Sequence, residues 1–145
     1  MFGSIVISKF TQAKIRLAAR PDTRGSVLSR LAFSECALVL CRVAEHANTP
    51  QSVLAFLAEH KNADVRIAVG DNGKASLSVL FNLARDEDAD VRLSLAENHN
   101  LPRLVLDTLA NDENPYVASR ASRTLDRLDK RRANQFVRRG KLIRG

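Results

Sequence analysis

Five residues in this 145-residue chain carry the soft donors that ligate transition metals: Cys36, Cys41, His46, His60 and His99. Structural zinc sites draw such ligands from short, fixed spacings such as Cys-x-x-Cys. Cys36 and Cys41 stand five residues apart, which on a helix turns them about 140° away from one another. No Cys-x-x-Cys or His-x-x-x-His pair occurs, so the pattern predicts small thiols and surface imidazoles, with no metal and no cofactor. The carboxylate run Asp86, Glu87, Asp88 and Asp90 recurs in weaker form as Asp112-Glu113. Acidic side chains there cap a helix start and meet the positive end of its dipole, which explains them without acid–base catalysis or calcium. Gly70-Asp71-Asn72-Gly73-Lys74 lacks the strand and the remaining residues of a phosphate-binding loop, and reads as a turn. No nucleophile–base pair stands out, and the chain is expected not to be an enzyme.

Those residues are set out by a repeat. Leu31-Ala32, Leu57-Ala58, Leu83-Ala84 and Leu109-Ala110 recur every 26 residues, as do Val27-Leu28, Val53-Leu54, Val79-Leu80 and Val105-Leu106. A fixed period of this length marks stacked supersecondary units, each burying its apolar edge against its neighbours. Within one unit, Val91 and Leu95 lie one turn apart on a first helix. Asn98-His99-Asn100 ends that helix, and Pro102 opens a second whose stripe is Val105, Leu106, Leu109 and Ala110. Thr23 and Thr49 are expected to cap the second helix of their units, and Ser76 to replace Pro50 and Pro102 in the third. Ala18, Ala44, Gly70, Ala96 and Ser122 share one position and are all small, which permits close helix approach. The expected fold is all-α, a short right-handed solenoid of about four 26-residue two-helix repeats plus a capping helix. Its divisions are an N-terminal cap segment (1–12), the array with its capping helix (13–130) and a basic, flexible tail (131–145).

The phrases Asp64-Val65-Arg66-Ile67-Ala68-Val69 and Asp90-Val91-Arg92-Leu93-Ser94-Leu95-Ala96-Glu97-Asn98, followed by Leu101-Pro102 and Leu106…Leu109-Ala110, resemble the leucine-rich repeat variant family. That family is akin to the HEAT and armadillo helical repeats, and the resemblance covers roughly residues 13 to 125. It implies a right-handed superhelix of paired short helices, one of each pair admitting a 3₁₀ form. Some members carry an iron–sulfur cluster on an N-terminal Cys-rich segment. This chain has no Cys before Cys36, so the cluster is not carried over. The motif speaks for fold and not for function.

Charge divides the chain. Residues 1–115 hold 13 Lys/Arg against 14 Asp/Glu, whereas residues 116–145 hold 10 against Asp126 and Asp129 alone. The net charge of +7 therefore belongs to the C-terminal end. The apolar stretch Phe2 to Ile7 is shorter than a signal-peptide core and far from the roughly 20 residues that span a bilayer. Two Cys without an export signal read as reduced thiols, and a cytoplasmic protein is expected.

Contact surfaces are sought where the repeat is broken. Leu77 and Phe81 replace small or polar residues at Gly25, Gln51, Arg103 and at Ser29, Ala55, Asp107. Phe33 replaces Glu59, Arg85 and Asn111; Leu38 replaces Asp64 and Asp90; Leu40 replaces Arg66 and Arg92. Leu77, Phe81, Phe33, Leu38 and Leu40 are thus the candidate partner-binding residues, serving another protein or a homodimer. Phe33 to Leu40 also offer a dock for the N-terminal segment. Arg66 and Arg92 are read as an Arg–carboxylate ladder between units in preference to a basic binding stripe. The first functional expectation is a non-enzymatic adaptor or scaffold that binds protein. The alternative is a nucleic-acid-associated protein touching RNA or DNA phosphates with Lys130, Arg131, Arg132, Arg138, Arg139, Lys141 and Arg144.

Overall fold

A computed structural model describes residues 8–142 of the backbone and residues 8–136 of the side chains. The N-terminal apolar residues Phe2, Ile5, Val6 and Ile7, and Arg144, lie outside the described residues, as do the side chains of Arg138, Arg139 and Lys141. The described residues form nine α-helices and no strand: α1 Lys9–Ala19, α2 Gly25–Leu31, α3 Ala37–Glu45, α4 Gln51–Leu57, α5 Ala63–Gly70, α6 Leu77–Leu83, α7 Ala89–Glu97, α8 Arg103–Leu109 and α9 Pro115–Leu142. The chain is all-α. Two compact units divide it within α6, the first ending at Leu80 and the second beginning at Phe81.

In the first unit α3 is the centre, packed against α1 and α5 and also against α2 and α4. Its side chains Val39, Leu40, Val43 and Ala44 are all buried. Alternate helices lie together, α1 with α3 and α3 with α5, which is repeat-like packing. The even-numbered helices supply Leu28, Leu31, Val53, Leu54 and Leu57 to the same core. Each helix has seven to eleven residues, too short to persist alone in water, so packing of these apolar stripes holds them. In the second unit α9 covers α7 and α8, burying Val117, Ala121, Thr124 and Leu125 against them. The short second helices α2, α4 and α8 are α-helical throughout, so the 3₁₀ form that the resemblance admits is not taken.

The loops repeat as faithfully as the helices. Asn62 is the N-cap of α5 and accepts from the Asp64 amide at 2.8 Å; Asp88 does the same for α7 with Asp90 at 2.9 Å. Twenty-six residues after Asp88, Asn114 accepts from Tyr116 at the start of α9. Two residues earlier in the turn, Asp86 and Asp112 accept the amides of Asp88 and Asn114. His60 fills that same repeat position and accepts the Asn62 amide on Nδ1. Asp88 is therefore a capping group, while Asp86 and Asp112 brace the turn before the helix.

The threonines act differently from expectation. The N-caps of α2 and α4 are Arg24 and Pro50, with no side-chain cap bond. Thr23 Oγ1 instead donates to the Leu17 carbonyl at 2.6 Å, and Thr49 Oγ1 donates to that of Val43. Both threonines are buried. A buried hydroxyl must find an acceptor, and the last-turn carbonyls of the preceding helix, each accepting one backbone amide, have a second lone pair within reach. Each Thr thus closes a first helix and does not open a second. Ser76 does cap, accepting the Val79 amide at 3.4 Å. Pro102 is the N-cap of α8, one residue outside the expected first turn.

Candidate functional site

His46 is held as a structural group. Its Nε2 lies 2.7 Å from the Arg20 carbonyl, which can only accept, so Nε2 carries the proton. Nδ1 then accepts the Asn48 amide at 2.9 Å. Asn72 and Asn98 stand 26 and 52 residues on from His46 and accept the amides of Lys74 and Asn100 in the same manner. His46 is a histidine in an asparagine's place. With His60 also engaged by backbone, neither imidazole points at a shared centre. Among the described residues no group of three or more His, Cys, Asp or Glu is placed to hold a metal ion. Cys36 and Cys41 are free thiols, both half-buried. Burial raises the Cys41 thiol above its ordinary range, with the carboxylates of Asp64 and Glu45 adding to the effect.

Arg92 is 8% exposed and is the polar centre of the second unit. It grips Asp112 with Nε at 2.8 Å and Nη2 at 3.2 Å, and Nη1 donates to the Asp86 carbonyl at 2.6 Å. The Asp112 bond is the main reason its guanidinium pKa is raised. Its counterpart Arg66, 7% exposed, donates to the His60 carbonyl at 2.8 Å. These arginines are buried ties between helix and loop. Lys14, on the same repeat position, is half-buried, and neither arginine offers its charge to a basic stripe on the surface. The shallow depression around Arg92 is lined by Asp86, Glu87, Asn111, Asp112 and Glu113, the same residues that shape the turns.

The surface candidates separate on exposure. Phe33 is 77% exposed, and its ring lies against that of Phe56 with centroids 5.5 Å apart. Phe56, on α4, is itself 52% exposed. Leu38 and Leu77 are also exposed. Leu40 is corrected: it is 2% exposed and part of the α3 core, so it cannot line a contact surface. The arginines that share its repeat position are buried too, so replacing them with Leu removes a charge and exposes nothing. Phe81, in the second unit, is half-buried, and the Arg85 guanidinium lies 5.9 Å from its ring centroid. Phe56 escaped the sequence reading. It stands where Arg30, Asn82 and Thr108 stand in the other repeats, and that departure was the signal for it.

On the basic end, Lys130, Arg131 and Arg132 are exposed side chains of α9. That helix is tied to α8 by Arg103, which donates to both carboxylate oxygens of Asp129 at 2.6 and 3.3 Å. No helix among the described residues is long and apolar enough to cross a membrane. The chain matches no protein-family model, no curated protein sequence and no solved structure. Fold and surface together define an all-helical domain with repeat-like helix packing.

Proposed function

We propose that the chain is a non-enzymatic helical-repeat module that binds another protein, acting as an adaptor or scaffold. The repeat is of the leucine-rich repeat variant kind: about four 26-residue pairs of helices, winding right-handed and ending in a capping helix. Recurrence of the same turn bonds at 26-residue intervals, in residues as unlike as His60, Asp86 and Asp112, supports that register. The observation that carries the binding role is the Phe33–Phe56 pair. Two aromatic rings in tilted contact, both exposed, have no duty in the core. Aromatic side chains of this kind concentrate binding energy when a partner desolvates them. Buried Arg66 and Arg92, and His46 and His60 spent on turns, support a framework role for the interior. The test is Phe33→Ser with Phe56→Ser. Circular dichroism should be unchanged, since both rings lie outside the core, while recovery of the partner on the tagged chain is lost. Unchanged recovery by the folded variant counts against the reading.

A further inference from the structure

The basic end of the chain is a surface built by α9, and that helix begins inside the packed unit. At 100° per residue, Arg120, Arg123, Arg127, Lys130 and Arg131 fall within an arc of about 100° on one side of it. All five are exposed. Arg120 is shared with Glu97 at 3.2 Å, whereas Arg123, Arg127, Lys130 and Arg131 make no ion pair among the described residues. Successive charges are three or four residues apart up to Lys130, a step of roughly 4.5 to 6 Å along the axis. In the sequence the same spacing continues at Arg138 and Lys141, seven and ten residues beyond Arg131. Two carboxylates belong to this helix. Asp129 is turned away from the stripe and occupied by Arg103, and Asp126 flanks one edge.

The opposite side of α9 decides what kind of polyanion this stripe suits. Val117, Ala121, Thr124 and Leu125 are buried against α7 and α8. An interfacial membrane helix needs its apolar face free to enter the lipid, and from Val117 to Leu125 α9 has already spent that face. Single strands are held by several aromatic side chains on which successive bases stack, whereas this face carries one exposed aromatic, Tyr116, one turn before Arg120. What remains is a band of cations along one side of the helix, complementary to the phosphate backbone of a duplex. We propose that the Arg120–Arg131 face of α9 docks the phosphates of a nucleic-acid duplex without reading its sequence. This surface is independent of the Phe33–Phe56 surface.

The test is fluorescence anisotropy of the full chain with a 20-base-pair mixed-sequence duplex, as DNA and as RNA, over a salt series. Four unpaired cations predict a slope of log K against log salt near −3.6, or roughly a 100-fold loss of affinity between 50 and 200 mM salt. Arg123→Gln, Arg127→Gln, Lys130→Gln and Arg131→Gln together should reduce affinity at 50 mM salt by about 100-fold. Lys9→Gln, Arg16→Gln, Arg24→Gln and Arg30→Gln remove the same charge from exposed sites elsewhere and should retain most binding. Arg127→Gln and Arg131→Gln singly should each shallow the slope by about 1, which keeps the test intact if the fourfold variant fails to fold. Binding to either duplex with these dependences supports the proposal. It is overturned if the fourfold variant binds as the wild type does, or if both charge-removal sets lose affinity equally. Tighter binding to a single strand, to phosphatidylserine vesicles or to polyglutamate than to either duplex also overturns it.

Discussion

Arg92 and Asp112 meet through two bonds of 2.8 and 3.2 Å, with their side chains 9% and 6% exposed. The pair ties α7 to the loop that starts α9, and Asp112 also accepts the Asn114 amide in that loop. Removing one partner leaves a buried charge uncompensated, which costs about 3–5 kcal/mol. Asp112→Ala should lower unfolding free energy by that order in urea titrations. Arg92→Met with Asp112→Leu, which removes both charges, should be less harmful than Asp112→Ala alone. A loss under about 1 kcal/mol for Asp112→Ala would mean that the pair behaves like an exposed surface bridge.

Gly25 marks a close approach between turns. A Cβ there would lie 3.0 Å from the Asn48 carbonyl oxygen and 3.3 Å from Pro50 Cγ, whereas one on Gly73 would meet nothing within 4 Å. The Asn48 turn is also pinned by its side-chain amide, which donates to the Pro21 and Thr23 carbonyls, so it yields poorly. Gly25→Ala should lower the melting temperature. Gly73→Ala should hold or raise it, because it restricts the unfolded chain at no native cost. Equal effects of the two substitutions would contradict this account of the turn.

The Cys41 thiol is raised by burial first and by Asp64 and Glu45 after it. The thiolate is the reacting species, so a raised pKa lowers its fraction at neutral pH. In a Cys36→Ser background, alkylation of Cys41 by iodoacetamide at pH 7.5 should be slower than for a free cysteine peptide. Its rate should keep rising at pH values where the peptide has levelled off. Peptide-like kinetics would contradict the packing around α3.

Asp129 is held below the usual carboxylate range by the Arg103 hydrogen bond. The sign follows: a depressed folded pKa gives a contribution present at neutral pH and lost as pH falls through the folded value. In carbon NMR titrations the Asp129 carboxyl should titrate lower in the wild type than in Arg103→Gln. Coincident midpoints would mean that the Arg103–Asp129 bond is not formed in solution.

The helical order was legible because Leu and Val recur at a fixed interval, and burial of those stripes follows from their chemistry alone. Turn roles were half legible. Asp86, Asp88 and Asn114 use residue types that favour caps, but His46 and His60 perform the same work with a ring nitrogen, which composition does not announce. Thr23 and Thr49 were placed on the wrong helix because a hydroxyl can serve the helix before it or the one after, and local geometry decides. Leu40 was misplaced for a different reason. A polar repeat position was taken for an exposed one, although Arg66 and Arg92 lie buried. Phe56 departs from the repeat at its own position, but only the fold shows that it meets Phe33.

The role of the Phe33–Phe56 pair is most directly measured by quantitative affinity purification of the tagged wild-type chain beside Phe33→Ser/Phe56→Ser. We predict that at least one protein is enriched on the wild type and depleted about tenfold or more on the variant, which corresponds to the roughly 1.4 kcal/mol expected from a modest aromatic anchor. The two chains should have superimposable circular dichroism spectra. An identical set of captured proteins at identical yield, on two equally folded chains, would contradict the claim that this molecule works by offering its exposed aromatic surface to a protein partner.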